Sequence, residues 1–336
     1  MTKLVSITIL SLLALLSFLA EDHFVQSFVL ESPRKMTEMT SLSNRKKCGP
    51  DCRTISIDQF NNGSSETYPL TLSGGVSNHD VERVPASTSG TLMEMVAEFV
   101  GTFIIVQLGC GTVCSAIFQS AQVGLWQIAA VWSIAVTLAI SATASISGAH
   151  LNPAITLALA TCRGFSWGKV VPFILSQLFG AIAAAGVNFA LFHDSIVQFE
   201  AANNIIRGTV ESVKSASAFG EYWSVTSWVG AFFAEAYGTA MLAFMIFALT
   251  NPKNETTTKS PHLIPPLIGL TVGALISVIA PLTQAGFNPA RDFGPRIVSL
   301  ICGWKGVAMK GWWVYVFAPI IGAVLGGQLA DRVLFR

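Results

Sequence analysis

Two short stretches carry side chains whose types and spacing could do chemistry. Ser147-Gly148-Ala149-His150-Leu151-Asn152-Pro153-Ala154 and Gly286-Phe287-Asn288-Pro289-Ala290-Arg291-Asp292 each contain Asn-Pro-Ala, 136 residues apart, and each follows a long apolar run. Asn is a favoured helix N-cap and Pro fits the first helical position, so helices are predicted to begin at Asn152 and at Asn288. Amid apolar spans, such starts fit half-helices that enter a membrane and stop midway. A helix N-terminus carries about half a positive charge. Two of them meeting at mid-depth would repel cations, including protons, and suit a neutral hydrogen-bonding molecule. The Asn152 and Asn288 amides could cap their helices and still offer N–H donors to a lumen.

The backbone ahead of each Asn is predicted to be extended. At membrane depth this is tolerated only where it lines a wet cavity. Gly148, Ala149 and His150, and Gln284, Ala285 and Gly286, would then supply rows of carbonyl acceptors. His150 is read as a positioning residue rather than a metal ligand or proton relay, because no other ligand type converges on it. Glu98 and Glu235 occupy equivalent places in two apolar spans, and an intramembrane carboxylate is a functional candidate by default. One reading is a proton- or cation-coupling pair. The other is a pair of braces accepting hydrogen bonds from the re-entrant loops, which their duplication favours. Arg291, just inside the second half-helix, reads as a fixed cation in a lumen that excludes cations and donates to a passing oxygen, with Asp292 holding the loop. The plainer alternative is an Arg291–Asp292 pair at the membrane surface.

The surrounding chain must position these groups. Of its 336 residues 52% are hydrophobic and 12% charged, against roughly 25% charged in soluble chains. Six spans are read at about 95–118, 126–146, 171–192, 228–249, 263–283 and 312–334, each near the ~20 residues a crossing needs. The fold class is therefore an all-α, multi-pass integral membrane protein of six transmembrane helices and two re-entrant half-helices. Ala97-Glu98-Phe99-Val100-Gly101-Thr102 matches Ala234-Glu235-Ala236-Tyr237-Gly238-Thr239 at nearly the same offset as the Asn-Pro-Ala pair. Three spans per half is odd, so the halves 93–193 and 227–336 lie inverted in one channel domain, 93–336. Gly269 with Gly273, and Gly322 with Gly326, are spaced for close helix contact.

Residues 1–20, Lys3 followed by an apolar run, resemble a signal peptide or an anchor. Residues 21–92 are polar, lack the apolar content to fold, and are expected to be disordered. Arg163, Lys169, Lys253 and Lys259 fit an inside N-terminus, which opposes a cleaved signal peptide. Residues 193–226 form a long connection without a dominant motif. Asn62 and Asn254 match the glycosylation pattern, a weak signal. Cys110 and Cys114 share a helix face, Cys162 and Cys302 stand alone, and Cys48 and Cys52 have no second ligand pair, so the six cysteines read as thiols. A net charge of +1 gives no sign of a nucleic-acid partner. The spans hold no nucleophile–base pair and no metal-ligand cluster, so neither an enzyme nor a cofactor or metal is expected. A coupled transporter would need carboxylates along the route, and only Glu98 and Glu235 qualify.

Over about 93–334 the chain resembles the major intrinsic protein family, the aquaporins and aquaglyceroporins. The resemblance rests on Ala97–Thr102, Ser147–Ala154 and Asn288-Pro289-Ala290-Arg291-Asp292-Phe293-Gly294-Pro295-Arg296. It implies passive conduction in a lipid bilayer and a homotetramer with one pore per subunit. Asp292 resembles the glycerol-conducting branch. The family's selectivity filter, carried over by spacing, falls on Trp132, Ile276, Ala285 and Arg291. Water-selective members place His where this chain has Ile276, so a wider, more apolar opening is implied. Bacterial glycerol facilitators have Gly and Phe at Ile276 and Ala285, and the set here looks more like that of plant nodulin-26-like channels. The expectation is a channel for small uncharged solutes: glycerol, with some water.

Overall fold

The computed structural model describes residues 88–122 and 124–336. The signal-like segment, nearly all of the polar tail, Asn62, Cys48 and Cys52 lie outside them. The principal helices, in chain order, are α1 (Thr88–Gln119), α2 (Leu125–Ser147), α3 (Pro153–Arg163), α4 (Trp167–Ala202), α5 (Trp228–Leu249), α6 (Ile264–Thr283), α7 (Pro289–Ser299) and α8 (Trp312–Leu329). Short helical turns fill the connections, and no strand occurs among the described residues. Among the described residues six helices are long and apolar enough to cross a membrane. Two boundaries differ from expectation: α1 already begins at Thr88, ahead of residue 93, and α4 runs on to Ala202 because Ser195-Ile196-Val197-Gln198-Phe199 continues the apolar pattern.

The helix starts follow from local chemistry. Asn152 Oδ1 accepts from the Ala154 N–H at 2.8 Å, and Asn288 Oδ1 accepts from Ala290 and Arg291 at 3.0 and 3.3 Å. Pro153 and Pro289 hold the first helical positions, where a missing N–H costs nothing. α3 stops at Gly164, whose left-handed backbone turns the chain toward α4.

Packing repeats with the sequence. α1 lies along α4 as α5 lies along α8, and α2 pairs with α6 across the centre. Each half-helix rests on the other half's last span, α3 on α8 and α7 on α4. Glycine sets the closest approaches. Gly322 and Gly326 face the Ala236 and Ala240 carbonyls, and Gly269 and Gly273 face α2 at Ser133 and Ala129, so a side chain at any of the four would collide with or crowd the neighbouring helix.

Candidate functional site

The two half-helices meet through their caps. Asn152 Nδ2 donates to the Phe287 carbonyl at 2.9 Å, and Asn288 Nδ2 donates to the Leu151 carbonyl at 2.8 Å. Each amide therefore spends one N–H on the opposite loop and keeps the other.

The loops ahead of the caps are not extended. Gly148, Ala149 and Leu151 have φ of 85°, 51° and 51°, and Gln284, Ala285 and Phe287 have 65°, 61° and 53°. Left-handed residues at the same three places of each half replace the predicted extended backbone. For non-glycine residues this conformation is strained and persists only where the surroundings impose it. The glutamates impose it here. Glu98 accepts from Ser147 Oγ (2.7 Å), the His150 and Leu151 N–H groups (2.9 and 2.7 Å) and Gln177 Nε2 (2.7 Å). Glu235 accepts from Thr283 Oγ1 (2.6 Å) and the Gly286 and Phe287 N–H groups (3.0 and 2.9 Å). Both carboxylates are fully buried. One turn further on, Gly101 and Gly238 leave room for the Leu151 and Phe287 side chains.

A cavity of about 490 Å³ runs past these caps. Its wall includes Trp132, Ile276, Ala285 and Arg291, the four positions carried over from the family, together with Asn152, Asn288, Gly148, Ala149, His150 and Gly286. Val136, Ile140, Ile268 and Val272 give it apolar stretches. Pro153, Ala154, Pro289 and Ala290 are buried behind it, and Glu98, Glu235 and Asp292 are absent from its wall. Gln284 is a correction: it does not line the cavity, and its side-chain oxygen accepts from the Tyr222 N–H at 2.6 Å. His150 lines the wall with its ring held between Phe165 and Phe173, centroids 4.5 and 5.1 Å away, and Nδ1 lies 3.3 Å from Thr156 Oγ1. Among the described residues no cluster of three or more His, Cys, Asp or Glu could hold a metal ion.

Arg291 is not a lone cation. Its guanidinium lies 4.2 Å from the Trp132 ring centroid and forms a buried ion pair with Glu221. Glu221 comes from the long connection that sequence reading left without a motif. The Glu221 N–H donates to Asp292 Oδ1 at 2.7 Å, and its carbonyl accepts from Arg296, which also donates to Asp292 Oδ2 at 2.7 Å. Asp292 thus ties the connection and α7 together and does not pair with Arg291. The available signal was one acid in Phe219-Gly220-Glu221-Tyr222-Trp223, too apolar a setting for a solvated loop. Arg163 also lines the cavity, at the opposite end from Arg291, so the lumen holds a second arginine. Asn254, one glycosylation match, uses its amide internally, on Ala248 and Thr257.

Six spans, two half-helices meeting cap to cap and a lined cavity between them define a multi-pass membrane pore protein. The chain belongs to the major intrinsic protein family, whose model matches residues 86–329. It is 40% identical over 258 residues to a glycerol uptake facilitator protein of Escherichia coli, covering 75% of this chain and 91% of that one. It is 38% identical over 241 residues to a propanediol uptake facilitator of Salmonella typhimurium, covering 69% and 90%. The X-ray structure of the aquaglyceroporin from Plasmodium falciparum superposes with a TM-score of 0.64 at 27% identity, covering 73% of this chain and 97% of that one.

Proposed function

We propose that residues 93–336 form a passive channel for small uncharged solutes, glycerol foremost and water with it, working as a homotetramer with one route per subunit. The observation that carries this reading is the two-sided wall of the cavity. A polyol has hydroxyls on one flank and C–H groups on the other. Trp132, Ile276, Val136 and Val272 meet the C–H flank without asking for hydrogen bonds. The Gly148, Ala149 and His150 carbonyls accept from hydroxyls, while Arg291 and the spare N–H groups of Asn152 and Asn288 donate to them. Relatives named for glycerol and propanediol uptake, matched over nine-tenths of their length, support the same solute class.

Charge exclusion follows from the two half-helix N-termini and Arg291 facing one lumen. Coupling to ions is not part of the reading: Glu98 and Glu235, the only carboxylates proposed for it, are saturated by loop donors and stand off the wall. They act as braces that hold the strained loops open. Ile276, shorter in reach than His and without a donor, lets an alkyl flank through. The test is isotonic swelling of proteoliposomes with water, glycerol, urea and a sugar. The expected order has glycerol and water entering and the sugar excluded. Water entry without glycerol entry would overturn the solute assignment.

A further inference from the structure

The cavity wall carries two arginines, each paired with a carboxylate, and the repeat does not demand the second pair. At the mouth where α3 ends, Arg163 Nε donates to Asp331 Oδ2 at 2.8 Å and Nη2 to Asp331 Oδ1 at 2.6 Å. Nη2 also donates to the Phe247 carbonyl and Nη1 to Thr250 Oγ1, both at 2.7 Å. The guanidinium lies 4.3 Å from the Phe247 ring centroid. Asp331 is steadied in turn by Asn251 Nδ2 at 3.0 Å, and Lys253 Nζ ties the same connection to the Phe335 and Arg336 carbonyls at 3.1 Å each. In the other half the equivalent of Arg163 is Ser299, which is buried and bonds only to its own helix, to Pro295.

We propose that Arg163 is a further permeability-determining residue: anchored by Asp331 it holds this mouth open to neutral solutes, and released from Asp331 it obstructs the mouth. The argument rests on the channel reading above. The anchored guanidinium has four of its five N–H donors filled and lies over the Phe247 ring. Without the carboxylate it keeps its charge, since arginine does not deprotonate, and it must find acceptors. Around it the wall is apolar, with Leu159, Ile264, Pro261 and Pro265. The lumen it shares with Gly148, Ala149 and His150 offers it their carbonyls, which a passing hydroxyl also needs. A released Arg163 therefore competes with the solute as well as narrowing its route.

The variants are Asp331→Asn, Arg163→Leu and the double substitution, each reconstituted and assayed for glycerol and water permeability per inserted channel. Asparagine is nearly isosteric but presents an N–H₂ to one arm of the guanidinium fork. Loss of one charge-assisted hydrogen bond lowers the held-to-released ratio by about tenfold, so Asp331→Asn is expected to lower glycerol permeability by up to about that factor. Adding Arg163→Leu to Asp331→Asn is expected to restore the glycerol permeability that Asp331→Asn alone loses, because no long cation remains to swing inward. A merely structural pair predicts the reverse: the double variant stays as impaired as the worse single one. That result, or an Asp331→Asn channel indistinguishable from wild type, overturns the proposal. If Asp331→Asn fails to insert, Thr250→Val removes an anchor without touching a charge, and its slowing must again be relieved by Arg163→Leu. A wild-type protein that passes no glycerol in the same vesicles would refute the channel reading itself.

Discussion

Replacing Ile276 by His tests how the wall opposite Arg291 sets selectivity. Ile276 is 5% exposed and shares the wall with Trp132, Ala285 and Arg291, whose guanidinium lies 4.2 Å from the Trp132 ring centroid. On the proposed reading, a glycerol molecule passing this point turns its hydroxyls toward Arg291 and its carbons toward Trp132 and Ile276. Imidazole in place of the butyl group reaches further from the backbone and puts a ring N–H where the C–H flank must pass. Covering that donor with an alkyl group leaves it unsatisfied, at about 1–3 kcal/mol. At about 1.4 kcal/mol per factor of ten, glycerol permeability falls on the order of ten- to a hundredfold. Water can bond to the new donor, so its permeability falls much less, and the water-to-glycerol ratio rises by at least about tenfold. Paired osmotic measurements with an impermeant sugar and with glycerol read both quantities in one preparation. Equal reductions in the two would refute the reasoning, because they would mean that Ile276 affects width alone or lies away from the narrowest point.

Three further outcomes follow from the site. Arg291→Val leaves Glu221 as a buried carboxylate without its cation, so proton or cation conductance should appear in liposomes while neutral flux persists; in Arg291→Val/Glu221→Val any remaining ion barrier belongs to the half-helix dipoles and Arg163. Glu235→Leu strips the acceptors from Thr283, Gly286 and Phe287, and three orphaned donors at about 1–3 kcal/mol each should cost several kcal/mol, read as a lower melting temperature in detergent and loss of flux; Thr283→Val, which leaves only the Ala285 N–H without its acceptor, should lower the melting temperature by less. Deletion of residues 1–87 should leave glycerol flux per inserted protein unchanged, since every wall residue lies beyond them.

What was legible in the sequence was what repeats or acts locally. Asn152 and Asn288 cap helices that begin one residue later, and capping is decided within a single turn. Glu98 and Glu235 declared themselves by recurring at nearly the offset of the caps. The glycine pairs of α6 and α8 showed their faces through their own spacing. The loop conformation was not legible, because Ala149, Leu151, Ala285 and Phe287 have no preference for positive φ; it is imposed by carboxylates some 50 residues away in sequence. Gln284 sits in the right stretch for a wall residue, yet Tyr222 draws its side chain outward. Glu221 and Asp331 were invisible as site residues for a similar reason. Each is one acid in an unremarkable segment, and its meaning comes from an arginine 70 or 168 residues distant. Trp132, Ile276 and Ala285 carry no chemistry of their own, and only family spacing could single them out.

Glycerol influx into proteoliposomes under varied driving forces tests the central claim most directly. A passive pore built on this wall predicts influx that rises linearly with glycerol concentration and is indifferent to collapse of proton and sodium gradients by ionophores. Influx that saturates and disappears when an ion gradient is collapsed would contradict it.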